Sequence, residues 1–392
     1  MAGTPGSYRC VRAGLLGVVL VWGFPLLLGA QDDNPFLPKP RTEFELSAYQ
    51  AIGAETDPNV QLRLGESFLV QYPESELRHL VLRSRWNALV AIGDPAGILG
   101  VAEAAMAAEV AFLESRLETI PDAGSRPEYP DTARRLEGVQ IAYFQSMVES
   151  SNRIGRFRDA VRHGERGLEL EAEFWSRTLE RFGPEHPQFP SLEAGHGNRE
   201  YFFLRQLVSA SEGANDRSAA VRYARRVLAL DANDLGVLIT AATLLTDDPS
   251  IAGTTQDAAV AEGEGLARRA LDRLDALTGL TDAESGGLRG AVYSAMGMVR
   301  FRRGEFGPAA EEFERAVGWT PRNPMTQYRL GISRINAGQL SESLTPLALA
   351  VHLEFPGADA FDALGRAWEV LNGDLAGLDA FVETTGRRFD NP

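Results

Sequence analysis

Gly297, Gly331 and Gly365 stand 34 residues apart and then 34 again, and the pairs Gly304/Gly338 and Ala316/Ala350 keep the same interval. A chain that returns to the same small residue at a fixed period builds one local unit repeatedly. A unit this short cannot bury its own apolar face, so successive units must stack into a common core. From Phe44 onward, runs rich in Ala, Leu, Glu and Arg alternate with short breaks of Gly, Pro, Asp or Asn, the pattern of helices joined by turns. The β-branched run Val18-Val19-Leu20-Val21 belongs to an N-terminal apolar segment, and Gly236-Val237-Leu238-Ile239 sits within a longer helical pattern. The chain reads as all-α.

The residues at fixed phase are specific. Tyr293-x2-Met296-Gly297 opens a unit, Gly304 makes its turn, Ala309-x3-Phe313 follows and Pro321 closes it. The next has Gln327-x2-Leu330-Gly331, Gly338, Ser343-x3-Leu347, Ala350 and Phe355-Pro356. A third begins Phe361-x2-Leu364-Gly365-x2-Trp368 and turns one residue late, at Asn372-Gly373-Asp374. This resembles the tetratricopeptide-repeat (TPR) family, whose unit follows W-x2-L-G-x2-Y, A-x3-F and a closing proline. The resemblance implies a right-handed superhelical solenoid of antiparallel helix pairs. Arg300 and Arg334 depart from the pattern, standing where the family usually carries an aromatic ring.

Three units are expected over 290–323, 324–357 and 358–388, within a C-terminal region 290–392. Upstream, 43–289 reads as a degenerate helical array, with unit-like stretches near 60–95, 140–171 and 218–250. Ile154-Gly155-Arg156-Phe157 repeats the turn form of Gly304-Glu305-Phe306, and Phe68-x3-Tyr72-Pro73-x-Ser75 resembles a unit's exit. Loops are expected at 120–131, 183–198 and 247–257, where Pro, Gly and Asp gather. Residues 31–42 form a Pro-rich linker.

Composition removes most chemistry. Of 39 basic residues only Lys39 is lysine, and it lies between two prolines; Cys10 is the only cysteine. Disulfides within the chain, Cys-rich zinc sites, iron–sulfur clusters and attached haem are excluded. A net charge of −15 disfavours nucleic acid and anionic lipid as partners. The N-terminus carries Arg9 and Arg12, an apolar run from Ala13 to Gly29 and a small residue, Ala30, before Gln31. That is the form of a signal peptide over 1–30, and implies a periplasmic or secreted protein. The alternative is an uncleaved anchor over 13–29, making the chain a membrane-tethered assembly subunit.

No P-loop, dinucleotide glycine fingerprint or nucleophile elbow occurs. The one enzyme-like cluster is Glu185, His186, Glu193 and His196, which carries a hydrolase or metal-binding alternative. Its spacing matches no helical ligand pair, and a solvated loop explains it as well. The expectation is therefore a non-enzymatic scaffold with no cofactor, binding a protein or peptide partner. The TPR resemblance places that partner on the concave face. Carried across residue by residue, the face holds Met298, Phe301, Arg302, Met325, Tyr328, Arg329, Ile332 and Arg366, with Ile335, Asp362 and Glu369 beside them. Apolar residues interleaved with arginine suit a peptide with hydrophobic anchors and acidic groups. The same residues read equally as ordinary packing between helices. A chaperone-tail clamp, which needs lysine on this face, is disfavoured.

Overall fold

The computed structural model describes residues 37–119 and 132–391. The signal-like segment, the first half of the linker and the expected loop at 120–131 lie outside them. Among the described residues there are 16 α-helices and no strand. They follow one another as pairs: α1 (Glu43–Ala54) with α2 (Pro58–Gln71), α3 (Arg78–Ile92) with α4 (Pro95–Thr119), and α5 (Thr132–Arg153) with α6 (Phe157–Phe182). Then come α7 (Phe189–Gly213) with α8 (Arg217–Leu230), and α9 (Leu235–Asp247) with α10 (Gln256–Ala276). The C-terminal set is α11 (Asp282–Arg302) with α12 (Phe306–Trp319), α13 (Pro324–Asn336) with α14 (Leu340–His352), and α15 (Asp359–Asn372) followed by α16 (Leu378–Asp390). Each helix up to α14 packs on its successor, so the fold is a solenoid of antiparallel helix pairs.

One turn recurs through the array. The amide of Gly304 bonds Phe301 O at 3.0 Å and that of Glu305 bonds Arg300 O at 3.0 Å. Gly338 with Gln339, Gly155 with Arg156 and Gly93 with Asp94 repeat the pair, which closes the orphan carbonyls of a helix end. The motif needs a positive φ, and Gly304 and Gly338 supply it at 76° and 78°. Between α7 and α8 the same place is held by Asn215 at φ 62°, asparagine being among the few other residues that tolerate it. Helix starts are fixed by side-chain caps: Asp216 on Ala219 N, Asp234 on Val237 N, Asn323 on Thr326 N, and a capping box between Thr281 and Glu284.

Within a unit, a small residue on the first helix receives a large one from the second. A Cβ on Gly297 would sit 2.7 Å from the Phe313 ring, and one on Gly331 2.5 Å from Leu347 Cγ. Phe313 and Leu347 are both fully buried. Gly365 has the same sequence phase, yet its nearest neighbours, Leu375 and Leu378, are 3.8 and 4.0 Å from such a Cβ. The reason is that α16 lies along α14 rather than α15, with Gly386 fitted against the His352 ring. Trp368 and Phe381 (5.0 Å between centroids) keep side-chain contact across the opening. The third unit therefore does not repeat the packing of the first two.

The two arginines that break the family pattern have visible partners. Pro346 lies inside α14 and has no N–H for the carbonyl of Glu342, one turn before it. Arg334 Nη1 donates to that carbonyl at 3.0 Å, and Arg334 also pairs with Glu314. Arg300 pairs with Glu305 at 2.7 Å.

Two expected loops are corrected. Helix α7 begins at Phe189, so the break is confined to 183–188 and residues 189–198 are helical. Pro190 lies in its first turn, where the missing N–H has no partner to lose. In 247–257, Pro249–Ala252 form one 3-10 turn and α10 starts at Gln256. One described helix, α4, is long and apolar enough to cross a membrane. It packs between α3 and α5 and carries Glu109, buried at 1% exposure and bonded to Arg83 and Tyr143.

Candidate interaction surface

Odd-numbered helices approach one another closely at α1/α3, α5/α7, α9/α11 and α13/α15, whereas even-numbered ones do so only at α14/α16. The elements on the inner side of a curve are the closer ones, so the odd helices form the inner layer over most of the array. Arg329 on α13 demonstrates it. Its Nη1 donates to Ser294 Oγ on α11 at 3.1 Å, and its Nη2 pairs with Asp247 on α9 at 2.9 Å. One side chain thus ties three inner helices together. Both ends of the Arg329–Asp247 pair are about four-fifths buried, where a charge left alone is costly.

Arg302 serves the same place. It donates to the carbonyl of Thr246 at 3.3 Å and to that of Asp247, the last carbonyls of α9. A cation at a helix C-terminus satisfies acceptors that the helix itself leaves open. Arg329 is half-buried, whereas Arg302 stays exposed while it bonds the end of α9.

The apolar members of the expected face divide. Met298 and Phe301 are half-buried against Phe313 and Leu330, and Phe301 meets Phe306 edge-on at 5.3 Å. Tyr328 and Ile332 pack with Leu347 and Leu364, and Tyr328 lies 4.4 Å from the Phe355 ring. Burial pushes the Tyr328 phenol above its ordinary range, Asp359 adding to the shift and Arg366 opposing it. Met325 and Arg366 are exposed, as are Asp359, Asp362, Glu369 and Val370. On α15 the residues Asp359, Asp362, Arg366 and Glu369 form one stripe, opposite the buried Ala360, Ala363, Leu364 and Ala367.

The structure therefore brings all eight expected residues to the α9–α15 region but gives them different work. Four are packed between helices, two brace α9 and two are open. Ser294, Asp247 and Asp359 were missed by sequence reasoning. Asp247 lies 82 positions from Arg329, and no local pattern joins them.

His186 and His196 part company. His186 packs edge-on against Phe182 at 4.7 Å and accepts from the Gln188 amide at 3.2 Å. His196 sits on α7 against Trp175 and Glu171 of α6. Among the described residues, no group of three or more His, Cys, Asp or Glu side chains is arranged to hold a metal ion.

No protein-family model and no curated protein matches the chain. Among solved structures the chain is similar to MamA, at 18% identity over 48% of this chain and 98% of that one, with a TM-score of 0.35. It is also similar to a tetratricopeptide repeat protein from Parabacteroides merdae (10% identity, 79% and 92% covered, TM-score 0.41) and to yeast Tom70 (14%, 91% and 66%, TM-score 0.38). At such identities nothing those proteins do transfers to this chain. Its own geometry shows the fold: antiparallel helix pairs which, over Asp282–His352, repeat at 34 residues and seat a small residue against a large one, as in the tetratricopeptide repeat.

Proposed function

We propose that this chain is a non-catalytic scaffold that binds a segment of a partner protein on the inner face of α13 and α15. One observation carries the reading: the inner stripe of α15, with Met325 of α13, stays uncovered while the opposite side of each helix is buried. Charge then narrows the partner. Arg302 and Arg329 are committed to α9, which leaves three carboxylates, Asp359, Asp362 and Glu369, against Arg366. The partner segment is accordingly apolar and basic, rather than acidic as the arginines alone suggest. The test is affinity capture with the wild-type chain and with Asp359→Arg plus Asp362→Arg. Loss of partner recovery by the double variant is expected; equal recovery places the surface elsewhere.

We further propose export, supported by the basic start, apolar run and small boundary residue of the first thirty positions. Determining the N-terminus of the mature protein decides it. A start at Gln31 supports a cleaved signal, and an intact Met1 supports the membrane-tethered alternative.

A further inference from the structure

A cleft of about 290 Å³ opens between α6, α7 and α8. Its floor is a stripe on α6, Leu168, Ala172, Trp175 and Leu179, spaced i, i+4, i+7 and i+11 and so on one side of the helix over about 16 Å. The opposite wall is polar: His196 and Glu200 from α7, and Arg226 from α8.

The imidazole of His196 lies flat on the Trp175 indole, 4.6 Å between centroids and 5° between planes. Its Nδ1 is 3.0 Å from Glu171 Oε1. That carboxylate is 1% exposed and also accepts from Arg199, Nε to Oε2 at 2.6 Å and Nη2 to Oε1 at 3.0 Å. A carboxylate held by a guanidinium is ionised and only accepts, so Nδ1 carries the proton. In the neutral ring Nε2 is then an acceptor. It faces Glu200 Oε2 at 3.8 Å, a second acceptor, while the other Glu200 oxygen takes Arg226 at 2.9 Å.

We propose that this cleft binds an alkylammonium group. A single nitrogen can stand about 2.8 Å from both acceptors, and an ammonium has three N–H bonds to give. Its aliphatic stem lies along the Leu168–Leu179 stripe, where methylenes are removed from water. The Trp175 ring, stacked on the imidazole, holds His196 in the orientation that presents Nε2. Arg226 is half exposed and can swing to solvent, leaving Glu200 to the ligand. A lysine side chain of a partner protein and a free diamine share this chemistry.

Titration calorimetry on the full chain, with His196 followed by imidazole 15N NMR, tests the site with three probes. Cadaverine and Nα-acetyl-lysine methylamide carry the ammonium; 1-pentanol carries only the stem. Both ammonium probes, or cadaverine alone, should bind and shift the His196 resonances. Binding of both assigns the cleft to a lysine side chain, and binding of cadaverine alone to a free amine. Glu200→Gln, with its helical content checked, should weaken binding at least tenfold, and Trp175→Leu should weaken it as well. Equal binding of pentanol, unchanged affinity in Glu200→Gln, or no response at His196 overturns the proposal. So does a doubly protonated His196 in the free protein, because Nε2 would then already donate.

Discussion

Gly297→Ala and Gly365→Ala change the same residue type at the same phase of the repeat, and their effects on stability should have opposite signs. At Gly297 the new methyl would lie 2.7 Å from Phe313 Cε1, inside a helix contact with no slack. Overpacking of this kind costs about 1–3 kcal/mol, offset by about 1 kcal/mol from the better helix propensity of alanine. The net loss is about 0–2 kcal/mol. At Gly365 the nearest atoms are 3.8 and 4.0 Å away, so only the propensity gain remains. Phe313→Ala alone removes a fully buried ring and costs about 3–5 kcal/mol. In that background Gly297→Ala loses its obstacle and should stabilise by up to about 1 kcal/mol, a coupling of about 1–3 kcal/mol. Urea unfolding followed by far-UV circular dichroism measures all five proteins, with equal m-values required before midpoints are converted. Coupling within about 0.5 kcal/mol of zero, or destabilisation by Gly365→Ala, refutes the packing argument.

Three further perturbations test the interior. Arg334→Ala takes an exposed hydrogen bond from the Glu342 carbonyl, where water can replace the donor, and should cost below about 1 kcal/mol in urea; in a Pro346→Ala background, where the helix supplies its own N–H, the loss should shrink. Tyr143 is buried beside Glu109, and burial pushes its phenol from 10 up to about 12. The folded state therefore favours the neutral form, so about 3 kcal/mol present below pH 10 should be lost as pH rises to 12, seen as a late step in phenolate absorbance that Tyr143→Phe removes. His163 is buried, and desolvation, with Arg162 behind it, holds its pKa below the ordinary 6.5. The unfolded chain protonates first, so stability should fall as pH drops below 6.5, and thermal melts of His163→Gln should lose that part of the slope.

The stretch from Asp282 to His352 was legible because each unit seats one small residue against one large one and ends its first helix on glycine. Upstream, three consecutive helices run to 22, 26 and 25 residues, which stretches the unit and destroys the 34-residue count. The turn at Asn215 carries the same hydrogen bonds as those at Gly155 and Gly304, but a different residue type hides it. Pro184, Pro187 and Gly195 suggested a long loop, yet only the first two interrupt a helix; packing against α6 keeps α7 helical through Gly195 and Gly197. Two of the arginines expected on the inner surface turn out to be bonded to α9. Arg302 and Arg329 look available in one dimension, and only the fold brings the end of α9 beneath them. The Trp175–His196–Glu171 cluster joins two helices 25 residues apart at its buried pair, a distance that no motif spacing encodes.

Site-specific photocrosslinking tests the central claim most directly. A benzoylphenylalanine placed at Met325, Asp362 or Arg366 samples the inner face, and one at Glu311 or Ser341 samples exposed positions on α12 and α14. The scaffold reading predicts one and the same protein adduct from the inner positions, suppressed by excess peptide of alternating leucine and arginine, and no such adduct from the outer ones. Adducts of equal yield from both sets, or from Glu311 and Ser341 alone, would contradict it.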